Sequence, residues 1–314
     1  MSTRRFPSLD PLDIQLMTEL ESDATQTYKD LADKLGMSRP TVASKVRKLL
    51  DSGVIKIICW SDPVALGYKI AAGLAICVQP GRINEAAHRL AAFSQVSHVL
   101  LVTGRFDIMA WSQFREREDL SGFLLNELGS IPGLLHVETN LVLKQVKVSP
   151  RLLIECKDPP LLENVTKNLD DLDFKLIRGL QTNARQKADH LAQTLGVSDT
   201  TILRRIQRLV DEQVIRIRTF VHPFALGYEG VAVIGLKCDM DKVRKAADAI
   251  AAYRNVQFVY ISTGRYDISA WVVFQNLSDL WHFITVELSS IPGLRDVDTI
   301  INHKLVKTSD PYRL

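Results

Sequence analysis

Residues 101–111 read LVTGRFDIMAW, and residues 261–271 read ISTGRYDISAW. Matching positions lie 160 residues apart, and SIPGL recurs at the same offset, at Ser130 and at Ser290. Because this offset exceeds the period of about 20 to 50 residues of solenoid repeats, the repeated element has the size of a domain. The sequence therefore predicts a chain of two similar units.

The centre of each quoted stretch has the chemistry of a tight turn. Gly104 and Gly264 can adopt positive φ, and Asp107 and Asp267 are common turn residues. Apolar runs lie on both sides, so the pattern predicts two β-hairpins. Turn chemistry alone and a contact with a ligand both fit this motif.

Around each hairpin the sequence predicts a small sandwich of helices and strands. In the first unit, strand-like runs begin at Ile70, His98, Asp107 and Val137, and helical stretches lie near 84–93 and 119–128. The order βαββαβ predicts a ferredoxin-like domain with one antiparallel sheet and two helices. The strands are almost continuously apolar, whereas a sheet with one wet face should alternate. We therefore expect a second copy of the sheet, from the same chain or another, to cover the open face.

Upstream of each sheet the sequence predicts three short helices. Asp10 can cap the first helix, which takes Pro11 at its first position, and Gly36 suits the turn that ends the second. Ser38 can cap the third helix. Three short helices with a glycine turn before the last are typical of a helix-turn-helix, and the pattern returns from Leu169.

The third helix of each unit has a basic face opposite its apolar stripe. This face comprises Thr41, Ser44, Lys45, Arg47 and Lys48 in the first copy, and Thr201, Arg204, Arg205, Gln207 and Arg208 in the second. Such residues contact phosphates and base edges in the major groove. A single basic face is often only solvated surface, but two at equivalent positions favour DNA binding. Since Arg204 and Gln207 replace Ser44 and Arg47, we expect the two helices to prefer different half-sites.

The order of these parts resembles the Lrp/AsnC family of transcription regulators, over about 9–147 and again over about 169–307. The resemblance implies a homo-oligomeric regulator of double-stranded DNA, whose sensor domains pair sheet to sheet and bind a small effector such as an amino acid. By position it implies ligand contacts at Gly104, Arg105, Asp107 and Thr139, and at Gly264, Arg265, Asp267 and Thr299. Most members carry one unit per chain, whereas this chain carries two.

The predicted fold class is therefore α+β, with two winged-helix or helix-turn-helix domains alternating with two ferredoxin-like βαββαβ domains. We place the helix-turn-helix domains at 9–60 and 169–220, the sensor domains at 68–147 and 228–307, and an irregular linker at 148–168.

An enzyme is the alternative function. Siroheme decarboxylases resemble the same two-domain plan and act on a tetrapyrrole, which calls for His, Arg or Tyr converging on a large cavity. The seven histidines do not recur at the repeat offset, and the sequence has no P-loop, nucleophile elbow or zinc-ligand spacing. We therefore expect no enzyme activity, no cofactor and no metal.

The composition sets wider bounds. With 46% hydrophobic and 24% charged residues the chain is typical of globular domains, and a net charge of +3 makes the location of charge more informative than its sum. No apolar run reaches membrane-spanning length, and the start MSTRRFPSLD lacks a signal-peptide core. The four cysteines form no CxxC motif. We expect a cytoplasmic protein with free thiols.

Overall fold

The structure is a computed structural model, and it describes residues 6–149, 151–154 and 167–308. Within these ranges, no helix combines the length and the apolar character that crossing a membrane requires.

The first unit follows the predicted order. Its elements are α1 (Pro11–Ser22), α2 (Tyr28–Leu35), α3 (Arg39–Asp51), β1 (Ile55–Ser61), β2 (Ile70–Val78), α4 (Ile83–Ala92), β3 (Val96–Thr103), β4 (Ile108–Phe114), α5 (Arg117–Gly122) and β5 (Leu134–Val148). Asp10 and Asp13 form a capping box at the start of α1, and Ser38 caps α3. Gly36 has φ 63°, the left-handed conformation expected for the turn between α2 and α3. The local signals for these helices are confirmed.

The second unit repeats the first. Its elements are α6 (Asp171–Thr182), α7 (Ala188–Leu195), α8 (Asp199–Asp211), β6 (Ile215–Val221), β7 (Gly230–Cys238), α9 (Val243–Ala251), β8 (Val256–Ser262), β9 (Ile268–Phe274), α10 (Leu277–His282) and β10 (Leu294–Thr308). One prediction was too short: the last strand of the first unit begins at Leu134 rather than Val137. A turn of π-helix over 123–127 also continues α5, where the sequence predicted ordinary helix.

The last strand of each unit serves both sheets. The first half of β5 pairs with β2 of its own unit, and the second half, from Val142 to Val148, pairs with β8 of the other unit. In the same way β10 pairs first with β7 and then with β3. The eight strands close in the order β10-β3-β4-β2-β5-β8-β9-β7. The expected second sheet is therefore present, and the same chain supplies it.

The two faces of each sheet bury different partners. On one face, α4 packs against β3 and α5 against β4, and Leu74 and Ile76 of β2 are fully buried in the same core. The other face meets the second sheet in a cluster of residues from both units: Ala75, Leu100, Val102, Phe106, Met109, Val233, Tyr266 and Ile300. Trp111 and Trp271 meet edge to face there, with ring centroids 6.2 Å apart. The continuous apolar strands follow from this double burial.

The helix-turn-helix domains are also joined. Strand β1 pairs antiparallel with β6, with Ile55 opposite Val221. The core around α1 includes Val221, Ala225 and Leu226 of the second unit, and the core around α6 includes residues such as Leu66 of the first. Each helix-turn-helix core is thus completed by the other unit.

Candidate DNA-binding surface and effector site

Helix α3 presents most of the predicted DNA-contacting residues to solvent. Val42, Val46 and Leu49 are buried in the domain core, which orients the opposite face outward. The exposed residues on that face are Thr41, Ser44, Arg47 and Lys48. Of the predicted residues on this helix, Lys45 differs from the other four.

Lys45 and its counterpart Arg205 lie in ion pairs inside their domains. The Lys45 Nζ lies 2.7 Å from Asp10 Oδ2 and 2.8 Å from Asp13 Oδ1. Arg205 Nη1 makes equivalent 2.8 Å contacts with Asp170 and Asp173. The hydrogen bond that Lys45 donates to Asp10 lowers the pKa of Asp10, and the bonds that Asp10 and Asp13 accept raise the pKa of Lys45. These ion pairs connect the third helix of each domain to the start of its first helix.

Helices α8 and α3 differ in which of their cationic side chains form ion pairs. Arg208 Nη2 also contacts Asp173, whereas Lys48, at the equivalent position, is exposed. Arg204 and Gln207 are exposed, and Thr201 is half-buried. The Gln207 amide donates a 2.8 Å hydrogen bond to Asp211 Oδ1. Of the predicted DNA-contacting residues on α8, one arginine and one amide are therefore exposed.

The two hairpins have the predicted turn geometry. Gly104 has φ 120° and Gly264 has φ 98°, a region that residues with a Cβ avoid. Asp107 Oδ2 accepts a 2.9 Å hydrogen bond from the backbone N–H of Val78, and Asp267 Oδ2 accepts an equivalent bond from Cys238. Each aspartate thus ties its hairpin to the end of a neighbouring strand. Both carboxylates have a structural partner in addition to any ligand role.

The tip of each hairpin lies over the long strand of the other unit. A Cβ on Gly264 would lie 2.6 Å from Asn140 Oδ1 and 3.2 Å from the carbonyl oxygen of Thr139. A Cβ on Gly104 would lie 3.8 Å from the carbonyl oxygen of Thr299. The predicted ligand residues are therefore brought together across the two units. Thr139 lies beside the second hairpin and Thr299 beside the first, because the sheets face each other.

Two arginines at the hairpin tips meet acids that the sequence analysis did not identify. Arg265 makes a bidentate ion pair with Glu138, and this pairing lowers the pKa of Glu138. Arg105 Nε lies 3.6 Å from Asp298 Oδ2. Glu138 and Asp298 are equivalent positions of the repeat, each directly before the threonine that the sequence analysis selected. That equivalence is the signal that could have found them.

A cavity of about 450 Å³ lies beside this second pair. Its lining residues are Arg105, Lys237, Arg265, Tyr266, Asp296, Val297 and Asp298. The Tyr266 hydroxyl donates a 2.6 Å hydrogen bond to Asp298 Oδ2, and burial together with this acid raises the pKa of Tyr266. Lys237 Nζ lies 3.0 Å from Asp267 Oδ1. The cavity therefore presents both positive and negative groups to a ligand.

Family models match most of these parts. Residues 72–152 and 231–312 match the model described as the Lrp/AsnC ligand binding domain. Residues 9–56 match a winged helix-turn-helix DNA-binding model, and residues 169–210 match the AsnC-type helix-turn-helix domain.

Curated relatives correspond to one unit of this chain. The uncharacterized HTH-type transcriptional regulator PF1231 of Pyrococcus furiosus is 33% identical over 135 residues, which cover 43% of this chain and 91% of the relative. The HTH-type transcriptional regulator FL11 of Pyrococcus horikoshii is 32% identical over 148 residues, which cover 47% of this chain and 97% of that protein.

A solved structure resembles the whole chain. The crystal structure of the siroheme decarboxylase NirDL superposes with a TM-score of 0.67 and 16% sequence identity, covering 94% of this chain and 92% of that one. At this identity the likeness shows a shared tandem fold and carries no statement about activity.

Proposed function

Because the chain belongs to the Lrp/AsnC family, we propose that this transcription regulator reads two unequal DNA half-sites with one chain, under the control of a small effector. The chain acts in the cytoplasm on double-stranded DNA, and whole chains associate further into homo-oligomers. It has no enzymatic role. The four predicted domains are the functional units of this scheme.

The observation that carries the proposal is the pair of exposed third helices held in one body. The β1–β6 pairing and the shared barrel connect both helix-turn-helix domains. A single chain can therefore present two recognition helices, as two protomers do in a dimeric helix-turn-helix protein. We expect half-site centres about 10 base pairs apart, or a multiple of that spacing.

The exposed residues support unequal reading of the two half-sites. Arg47 and Arg204 are the guanidinium groups best placed to bind a base edge, but they occupy different turns of their helices. Lys48 is free to bind a phosphate, whereas Arg208 already contacts Asp173. The proposed operator is therefore an imperfect palindrome.

The proposed effector is an amino acid or a related metabolite, bound near the hairpins. Asp107 and Asp267 hold the turns in place, so the contacts with the effector are assigned to groups nearer the hairpin tips. Arginine at these tips supports this assignment, because a guanidinium pairs well with a carboxylate.

Recovery of genomic DNA bound to the protein in cells, with and without added amino acids, tests the proposal. We expect a set of discrete sites whose occupancy changes with one amino acid or a few. Binding to an operator and to a scrambled duplex with equal affinity would contradict sequence-specific recognition. Visible absorption of purified protein after incubation with a tetrapyrrole would instead favour the enzyme alternative.

A further inference from the structure

One arginine connects the two DNA-binding domains through the turns that precede their second helices. Arg185, in the turn between α6 and α7, donates a 2.7 Å hydrogen bond from Nη2 to the backbone carbonyl oxygen of Gln26, in the turn between α1 and α2. The guanidinium carbon of Arg185 also lies 5.1 Å from the ring centroid of Tyr28, the first residue of α2. We call this contact between the two domains the Arg185 bridge.

The residue types of this contact occur together at only one of two equivalent places. The equivalent of Arg185 in the first unit is Thr25, and the equivalent of Tyr28 in the second unit is Ala188. Thr25 Oγ1 donates a 2.6 Å hydrogen bond to Asp23 Oδ1 within its own turn, and Ala188 has no ring that could face a cation. The two copies have therefore diverged at both ends of the bridge.

Local structure holds both ends of the bridge in place. Gln26 Nε2 donates hydrogen bonds of 2.7 Å to the carbonyl oxygen of Glu19 and 3.2 Å to that of Asp23, which ties the accepting turn to the end of α1. The backbone N–H of Arg185 donates a 3.1 Å bond to Asn183 Oδ1. A planar guanidinium that lies over a ring and donates a hydrogen bond has a defined direction. The contact therefore restrains the rotation of one domain relative to the other.

The remaining connections between the domains restrain this rotation less. The β1–β6 ladder joins the parts of the domains that follow α3 and α8, and two-stranded ribbons twist over a wider range than larger sheets. The apolar contacts of the shared cores have no preferred direction. Because the Arg185 bridge lies before α2 and α7, it acts on a different part of each domain. It thus limits how far α3 and α8 turn relative to each other.

We propose that the Arg185 bridge sets the half-site spacing that this chain accepts. Arg185 is a positioning residue, which acts through the relative placement of the two recognition helices. One inserted base pair moves the second half-site by about 3.4 Å and turns it by about 34° around the DNA axis. Two helices joined by the bridge follow this change only if the bridge breaks. The inference rests on the proposed function and adds the contact that fixes the spacing.

Binding of the full chain to a series of duplexes tests the proposal. The wild-type chain selects the first duplex from a random-sequence library, and its derivatives have one or two base pairs inserted or removed between the half-sites. For each protein, the affinity for the best spacing is divided by the affinity after a change of one base pair. This ratio is the spacing preference.

Two substitutions exchange residues between the copies. Arg185→Thr removes the hydrogen bond and the cation–π contact, so the spacing preference should fall about 10-fold. Threonine suits this turn, because the backbone N–H of Thr25 makes the equivalent bond to Asp23. Tyr28→Ala removes only the cation–π contact, so the preference should fall about 3-fold. Both variants should still bind the selected duplex more tightly than a scrambled one.

Two controls separate the bridge from general effects of the substitutions. Tyr28→Phe keeps the ring, and Arg178→Thr removes the same charge from an exposed position on α6, so both should keep the wild-type spacing preference. An unchanged preference in Arg185→Thr would overturn the inference, even if the midpoint of thermal unfolding falls, and would leave the proposed function standing. Equal affinity of the wild-type chain for selected and scrambled duplexes would instead overturn the proposed function itself.

Discussion

The two helix-turn-helix domains share their helix order but differ in how the rest of the chain holds them. In the first domain, Glu21 is buried at the end of α1, and its carboxylate accepts hydrogen bonds of 2.7 to 2.9 Å from the backbone N–H groups of residues 152–154. In the second domain the equivalent residue is Gln181, an uncharged amide whose Nε2 donates a 3.1 Å hydrogen bond to Ser61 Oγ. The first domain is thus attached to the described start of the linker.

The linker segment continues this attachment into the sensor region. Arg254, which lies between α9 and β8, donates hydrogen bonds to the carbonyl oxygens of Leu152 and Leu153. Leu152 and Leu153 therefore connect the first DNA-binding domain with the second sensor domain. The sequence predicted an irregular connector here. Its described part, residues 151–154, is irregular, and it is hydrogen-bonded to Glu21 of the first DNA-binding domain and to Arg254 of the second sensor domain.

The largest expected effect concerns that attachment. Glu21→Ala leaves one buried and two partly buried N–H groups without this acceptor, so we expect the free energy of unfolding to fall by about 3 kcal/mol. Gln181→Ala is the matched control and should cost less, about 1 kcal/mol, because its bond to Ser61 joins two neutral side chains. Urea unfolding of both variants measures the difference. Similar losses in the two variants would mean that the domains are held equally.

The next effect concerns base recognition. If Arg47 and Arg204 each make a bidentate base contact, Ala at either position should reduce discrimination between operator and scrambled DNA by about 1–3 kcal/mol. Each variant should lose preference at a different half-site. Titration against operators altered in one half at a time measures this. Loss of preference at the same half-site in both variants would contradict the model of two unequal readers.

A smaller effect separates Lys48 from Arg208. Lys48→Ala should weaken binding to all DNA and reduce the salt slope by about 0.9, as expected for one lost phosphate contact. Arg208→Ala should mainly lower the free energy of unfolding, by about 1 kcal/mol, because Arg208 already pairs with Asp173. Affinity at several salt concentrations distinguishes the two. If Arg208→Ala also reduced the salt slope by about 0.9, the Arg208–Asp173 ion pair would have to open when the protein binds DNA.

The smallest effect is a pH dependence specific to the first domain. Burial raises the pKa of Glu21 above its ordinary value of 4.5. A group whose pKa is raised on folding stabilises the protein below the unfolded pKa, and this contribution is lost as pH rises through the folded pKa. Glu21→Gln should remove that component of the pH profile of unfolding. A profile unchanged by the substitution would contradict the raised pKa.

Much of the local structure could be predicted because its causes lie within a few residues. The caps at Asp10 and Ser38 and the positive φ of Gly104 depend on near neighbours, so short stretches contain their signals. A local cause also separates α2 from α7, because Thr27 caps α2 whereas the equivalent Lys187 makes no side-chain capping bond. The exposed side of α3 followed from its helical period.

The roles of individual charges could not be predicted in the same way. A helical wheel placed Lys45 and Arg205 beside the residues predicted to contact DNA. It contains no information about the acids at the start of α1, which pair with Lys45, or at the start of α6, which pair with Arg205. That Lys45 and Arg205 contact DNA therefore stays a prediction, and their observed partners favour a role in positioning the helix.

The sequence by itself determined the duplication, the order of helices and strands, and the need for a second sheet, because repeat offset and hydrophobic period are properties of the chain alone. Only the tertiary structure decided that the two sheets close on each other and that each hairpin tip crosses to the other unit. Two similar units have similar pairing patterns, so the sequence is equally compatible with pairing within a chain and between chains. The same crossing brings Arg105 to Asp298 and Arg265 to Glu138, and such contacts between distant residues exist only after the barrel has closed.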